Sequence, residues 1–315
     1  MYRVGQLTRR ALVRIGSTAL LRPVASALLR LHERSGRLLK AMLEGSAQSP
    51  LNLQGLVAVE TVGDAVERSL LHAKEPLPFL VPAVRVVWGY GFRHTADEHP
   101  WIAHLQEADG TLGHFYSRYR PADILEAFGP SARPSRGAGA ETDALLADEM
   151  SANPWLFSGR FGSARQAFMG EVTNGRFMGR EHGRQHLGPV SQEKVIATSE
   201  ALYQVRDSLK QNGYRPDIGG WIRGYFLVYG TEFLFLISGG QHRSAAWVAL
   251  GNETIPVILQ PGYPRLVDVD RLDRKNRQIA LCYFNNHYRE ARRQLVLNSQ
   301  NGQLPRELGR TTSQS

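Results

Sequence analysis

The chain has 315 residues, room for one large domain or two ordinary ones. Its 42% hydrophobic and 21% charged content is that of a folded globular protein, which excludes general disorder, and no uncharged apolar run approaches the roughly 18 residues a bilayer-spanning helix needs. The net charge of +9 sits at the ends: residues 1–50 carry a net +7, residues 51–270 a net −4 and residues 271–315 a net +6, which argues against a basic, nucleic-acid-binding body.

At the N-terminus, Thr8-Arg9-Arg10-Ala11-Leu12 loosely resembles a twin-arginine export signal. Arg14 and Arg22 interrupt the apolar segments behind it and no small-residue cleavage site follows, so no signal peptide is expected. Residues 1–45 predict two helices broken at Pro23. In the second, Val24, Ala27, Leu28, Leu31, Leu38 and Met42 share one stripe, while Arg30, Arg37 and Lys40 fall away from it. Such a helix either packs its stripe on its own domain or lies on an anionic membrane surface, and both readings stay open.

Residues 46–180 read as an accessory region. Gly45–Asn52 is a polar linker, and Phe79–Trp88 predicts one buried strand with Pro82 near its start. Pro100 opens a short helix over Trp101–Leu105. His94, His99 and His104 are scattered and read as core or surface residues. Tyr116, Arg118, Tyr119 and Arg120 form an aromatic and basic cluster, either a packing surface or a sugar or nucleic-acid platform, with Tyr119 and Arg120 as candidate substrate contacts. A helix is predicted from Pro121 to Gly129, and the Gly/Pro/Ser/Arg stretch Gly129–Gly139 predicts a mobile loop.

The second half is more regular. Glu181-His182-Gly-Arg-Gln-His186 places two histidines at i, i+4, but Gly183 argues against a shared helix face and no metal site is expected; His186 is a candidate substrate contact. Gln192–Asn212 has helical periodicity, Ser191 as N-cap and Gly213 as C-cap; Lys194 is either a phosphate contact or, the favoured reading, a solvated charge. Trp221–Val228 and Glu232–Ile237 predict strands joined at Gly230, Gly251 caps a further helix, and Thr254–Leu259 predicts another strand. Gln278–Phe284 and Tyr288–Leu297 predict two closing helices. The single cysteine, Cys282, lies in an apolar stretch and reads as a core residue; no intrachain disulfide can form, which fits a reducing cytoplasm.

The segment with chemical logic is Ser238-Gly-Gly-Gln-His-Arg-Ser-Ala-Ala-Trp-Val-Ala-Leu-Gly251. A strand ends, Gly239 and Gly240 turn the backbone, and a helix begins. Its first N–H groups and positive dipole end suit an anion, with Arg243 able to grip phosphate and His242 able to donate a hydrogen bond or move a proton.

With the preceding Ser208–Gly213 helix end and Pro216, and the following strand through Val257, these residues resemble the ParB/sulfiredoxin superfamily over about residues 186–260. The chain further resembles ParB-domain proteins of bacterial surface-polysaccharide gene clusters, which share a GPVS segment, here Gly188-Pro189-Val190-Ser191, and a GGQHR turn. The resemblance implies a mixed α/β fold: basic helices over 1–45, an accessory region over 46–180, a ParB/sulfiredoxin-like nucleotide-binding domain over 181–270, and C-terminal helices and tail over 271–315. It implies a nucleotide-dependent phosphotransferase or NTPase acting on a small-molecule or glycan-related acceptor. The alternative is a non-catalytic, nucleotide-gated or nucleic-acid-binding regulatory protein. Gly239, Gly240, Gln241, His242, Arg243, Ser244 and Gly188–Ser191 would hold ATP or another nucleoside tri- or diphosphate, with Mg²⁺ if catalytic. Glu193, near where kinase relatives place a carboxylate, and His242 would be catalytic.

Three departures shape the expectation. Gln241 stands where sulfiredoxins have their cysteine, so sulfinic acid reduction is excluded. Only about 55 residues follow Leu259, without a convincing helix-turn-helix, so chromosome partition and nucleic acid are not expected. Ser238 and Gly239 stand where the serine kinase has an acidic residue, which puts metal binding in doubt. The expected location is the cytoplasm, with residues 1–45 the candidate for peripheral contact with the inner membrane.

Overall fold

The computed structural model describes residues 50–71, 77–88, 91–107, 111–118, 170–183 and 189–300. The helices expected over 1–45, the helix from Pro121 to Gly129 and the loop 129–139 lie outside them.

The architecture is mixed α/β. Helix α1 is Val62–Leu71, α2 is Pro100–Gln106, α3 is Thr111–Arg118, α4 is Gln192–Asn212, α5 is the single turn Pro216–Gly219, α6 is Gln241–Ala249 and α7 is Arg274–Gln300. The strands are β1 (Phe79–Pro82), β2 (Val86–Trp88), β3 (Gly170–Thr173), β4 (Arg176–Gly179), β5 (Ile222–Tyr229), β6 (Glu232–Gly239), β7 (Thr254–Leu259) and β8 (Leu266–Asp268). Six of them form one mixed sheet in the order β1-β7-β5-β6-β2, with β8 paired to β5 beyond the end of β7; β3 and β4 make a separate hairpin.

The centre of the sheet is the β5–β6 hairpin, turned at Gly230 and Thr231 with Tyr229 opposite Glu232. Five consecutive residues of each strand are buried, a burial pattern that requires cover on both faces. Helices α6 and α7 pack against β5, and α1 packs against β6 and β8. Phe79, Phe226, Phe233 and Phe235 interlock at the middle in stacked and edge-to-face pairs.

Phe79–Trp88 is not one strand. It is two, at opposite ends of the strand order, joined by a 3-10 turn over Ala83–Arg85. Four residue steps reach at most about 14 Å, whereas four strand spacings across a flat sheet amount to about 19 Å. The sheet therefore curls until β1 and β2 approach each other. Both strands come from the region expected to be an accessory, so the boundary at 180/181 cuts through one sheet and one core.

The C-terminal segment also differs from expectation. It forms one continuous helix, α7, and not two. Asn285 and Asn286 interrupt the apolar pattern, but no Gly or Pro occurs between Arg274 and Gln300 to stop the backbone. Cys282 is half-buried against the core, and burial raises its thiol pKa. Among the described residues, no helix is long and apolar enough to cross a membrane.

Candidate functional site

The sequence builds the β6–α6 turn as expected. Gly239 closes β6, Gly240 takes a left-handed conformation at φ 83°, and α6 starts at Gln241. A Cβ on Gly240 would sit 2.9 Å from the Ile222 Cα, so the position needs glycine for its conformation and for its space. The first backbone bond of the new helix is donated by the Ser244 N–H to the Gly240 carbonyl. The N–H groups of Gln241, His242 and Arg243 precede that bond and have no intrahelical acceptor, as at any helix start.

Arg243 is half-buried behind the turn. Its guanidinium donates to the carbonyls of Gly219 and Gly220 and interacts with the Tyr214 hydroxyl. It thereby ties α6 to the loop around α5. Burial lowers its pKa, and the nearby Arg223 guanidinium pushes the same way. Arg223 lies on β5 opposite Gly239, at a register shift between Arg223 and Gly224. Two guanidiniums and a helix N-terminus thus surround one glycine turn. Asp217, the carboxylate of the adjoining loop, is held by Arg215 at 3.0 and 2.7 Å. A helix N-terminus with cationic side chains near it is the kind of place that suits an anion.

His242 stacks on Trp101, with ring centroids 4.5 Å apart and planes within 8°. Burial, then the neighbouring Arg243, pull its pKa down to about 4. At neutral pH the ring is uncharged, suited to a hydrogen bond and adding no positive charge. Ser244 is fully buried; its Oγ lies 2.9 Å from the Gln241 carbonyl and 2.8 Å from His94 Nε2. Its side chain therefore faces inward, leaving its N–H bound to Gly240 and neither group aimed at a ligand of the turn.

The histidines that looked scattered are all buried, and His94 reaches α6. His94 reaches Ser244, and its ring is 4.8 Å from His99, which caps α2 by accepting from the Trp101 N–H. His104 instead meets Ser199 on α4 at 2.8 Å. Sequence reasoning missed Arg223, Tyr214 and Trp101 as neighbours of the turn. One signal was present: Gly224 inside an apolar strand pattern marks an irregularity, and the residue beside it faces the turn.

The other predicted residues form a second cluster. Pro189 is exposed, Val190 packs against the core, and Ser191 caps α4 by accepting from the Lys194 N–H. Glu193 is 60% exposed, with an oxygen 3.9 Å from His182 Nδ1. Lys194 is not a solvated charge. It is fully buried, donates to the Gly183 carbonyl, and pairs with Glu171 at 2.5 Å. The structure thus brings Gly239–Ser244 together at one helix start and Pro189–Ser191 with Glu193 at another. Gly188, His186, Tyr119 and Arg120 lie outside the described residues.

No family model, curated protein or solved structure matches this chain. The site is therefore read from its own chemistry. Among the described residues no group of three His, Cys, Asp or Glu side chains could hold a metal ion. With Asp217 engaged by Arg215, the turn offers cationic groups and backbone N–H donors, the wrong donor set for a resident Mg²⁺.

Proposed function

We propose that the Gly239–Arg243 turn binds the phosphates of a nucleotide, within a ParB/sulfiredoxin-like domain. The observation that carries this reading is the convergence of Arg223, Arg243 and the α6 N-terminus on one glycine turn. Phosphate oxygens would accept from the Gln241, His242 and Arg243 N–H groups. Arg223 would supply charge from β5, while Arg243 holds the loop that frames the turn. Any Mg²⁺ would arrive with the nucleotide, because the residues at the turn do not suit a cation.

The activity this supports is a nucleotide-dependent phosphotransferase or NTPase with a small-molecule or glycan-related acceptor, acting in the cytoplasm or at the inner membrane surface. Glu193 is the base in this reading. A second reading, a nucleotide-gated protein without catalysis, draws on two features: burial and Arg243 lower the His242 pKa, and Glu193 lies beside His182.

The test is thermal unfolding with ATP, ADP, CTP or GTP, with and without Mg²⁺, together with phosphate release. A ligand at 100 times its Kd stabilises by about 2.7 kcal/mol, a shift of several degrees. Arg223→Gln is expected to remove most of that shift, measured against the unliganded Tm of the same variant. If none of the four nucleotides raises Tm, the phosphate site is wrong. Binding without phosphate release favours the gated protein.

A further inference from the structure

A different chemistry stands at the start of α4. Ser191 Oγ lies 2.8 Å from His182 Nδ1, and the other ring nitrogen, Nε2, lies 3.6 Å from a Glu181 carboxylate oxygen. In the tautomer that carries its proton on Nε2, beside the Glu181 carboxylate, Nδ1 is the acceptor. That leaves the Nδ1 lone pair facing the serine hydroxyl, so the hydroxyl donates to an acceptor base. We propose that Ser191 is a nucleophile, His182 its general base and Glu181 a positioning residue, forming an acyl-transfer site that needs no nucleotide.

The surroundings hold this geometry from several sides. The Ser191 N–H donates to the His182 carbonyl at 3.1 Å, so backbone and side chain join the same two residues. Gly183, next to His182, has φ 76° and is fixed by the buried Lys194, which Glu171 neutralises. His182 is half-buried, with its side chain 21% exposed, so a small substrate can reach it. The N–H groups of Gln192 and Glu193 open a 21-residue helix directly beside Ser191 Oγ, where an oxyanion would form. Glu193, 3.9 Å from Nδ1 and exposed, adds negative charge to the rim. With Glu181 it disfavours anionic substrates, which leaves an uncharged or cationic carboxylic ester.

The reaction balances with water as the only co-reactant. Ser191 Oγ bonds to the ester carbonyl carbon while its proton passes to His182 Nδ1. The tetrahedral oxyanion collapses, the carbon–alkoxy bond breaks, and the alkoxide leaves with the His182 proton. Water, deprotonated by His182, then cleaves the acyl-serine to the acid and restores Ser191.

The test uses the full chain with a fluorophosphonate, which forms a P–O bond to a reactive serine and expels fluoride, and with p-nitrophenyl acetate. One adduct by intact mass, mapped to Ser191, is expected. Ser191→Asn keeps an N-cap and must not label, with its melting curve confirming the fold. His182→Gln is expected to slow labelling at least about tenfold, within the usual range for a general base. Glu181→Gln should slow it less, and Glu181→Asp should recover part of the lost rate with the melting curve of both variants unchanged, a rescue that a purely structural role would not produce. An adduct no larger than that of Ser191→Asn, an adduct at another residue, or His182→Gln labelling at the wild-type rate overturns the proposal.

Discussion

The buried histidines make stability respond to acid. His94 is 1% exposed and its pKa is pulled to about 4 by burial; His287 is 6% exposed, and burial, then Arg93, pull it to about 3. In the unfolded chain both return to 6.5. Above that value both states are neutral and the full stability is present. As pH falls from 6.5 towards 4, the unfolded chain takes up protons that the folded one refuses, and stability is lost. At pH 5 the loss is about 2 kcal/mol for each histidine. Denaturant midpoints at pH 7.5 and pH 5 should show it, and His94→Gln should flatten the difference by about a third, because His242, also held near 4, adds a similar share. Little of this was legible in the sequence. The spacing of His94, His99 and His104 carries no helical or strand period, and the partner of His94, Ser244, lies 150 residues further along the chain. Arg243 was legible as a cation at the turn. Its bonds to the Gly219 and Gly220 carbonyls were not, because nothing local predicts how a loop folds back.

Elements with strong terminal chemistry were legible to the residue. Helix α4 starts after Ser191 and ends before Gly213, as its capping residues indicate, and β7 spans the predicted Thr254–Leu259. The β6–α6 turn was legible for the same reason: two glycines between an apolar strand and an Ala-rich helix permit few other conformations. Gly240→Ala tests that logic against Gly251→Ala. Both glycines have positive φ, 83° and 90°, but a Cβ at Gly251 meets open space whereas one at Gly240 meets Ile222 and Trp221. Both variants carry the left-handed penalty of about 1–2 kcal/mol. Only Gly240→Ala should lose substantially more in urea denaturation, and only it should lose nucleotide-induced stabilisation. Lys194→Met is a second case. Its charge was misread because a lysine in a helix's first turn normally faces water, and nothing in the sequence pairs it with Glu171. Removing the ammonium takes the ion-pair partner from a carboxylate that is only 24% exposed and a donor from the Gly183 carbonyl. A loss of about 3–5 kcal/mol is expected from chemical denaturation.

At the scale of the whole molecule, the ParB-like boundary at 180/181 and the observed sheet make different predictions. A fragment of residues 181–315 keeps β5–β8 but lacks β1, β2, α2 and α3, and so loses Phe79, Trp88 and Trp101 from the core. It should show no cooperative thermal transition, whereas residues 50–300 should unfold cooperatively by calorimetry. The sequence hid this unity because β1 and β2 are four and three residues long and adjoin in one Val-rich run, so their separate partners leave no local trace. The Ala83–Arg85 turn has a consequence during synthesis. Strand β1 pairs with β7 roughly 180 residues later, and β2 with β6 roughly 150 residues later. At ribosomal rates of about 5–20 residues per second, Phe79–Trp88 emerges roughly ten to thirty-five seconds before β7 exists to receive β1. Throughout that interval an apolar, strand-forming segment waits without its sheet. A nascent chain of this protein therefore depends on protection of that segment, and its yield should fall where holdase chaperones are scarce.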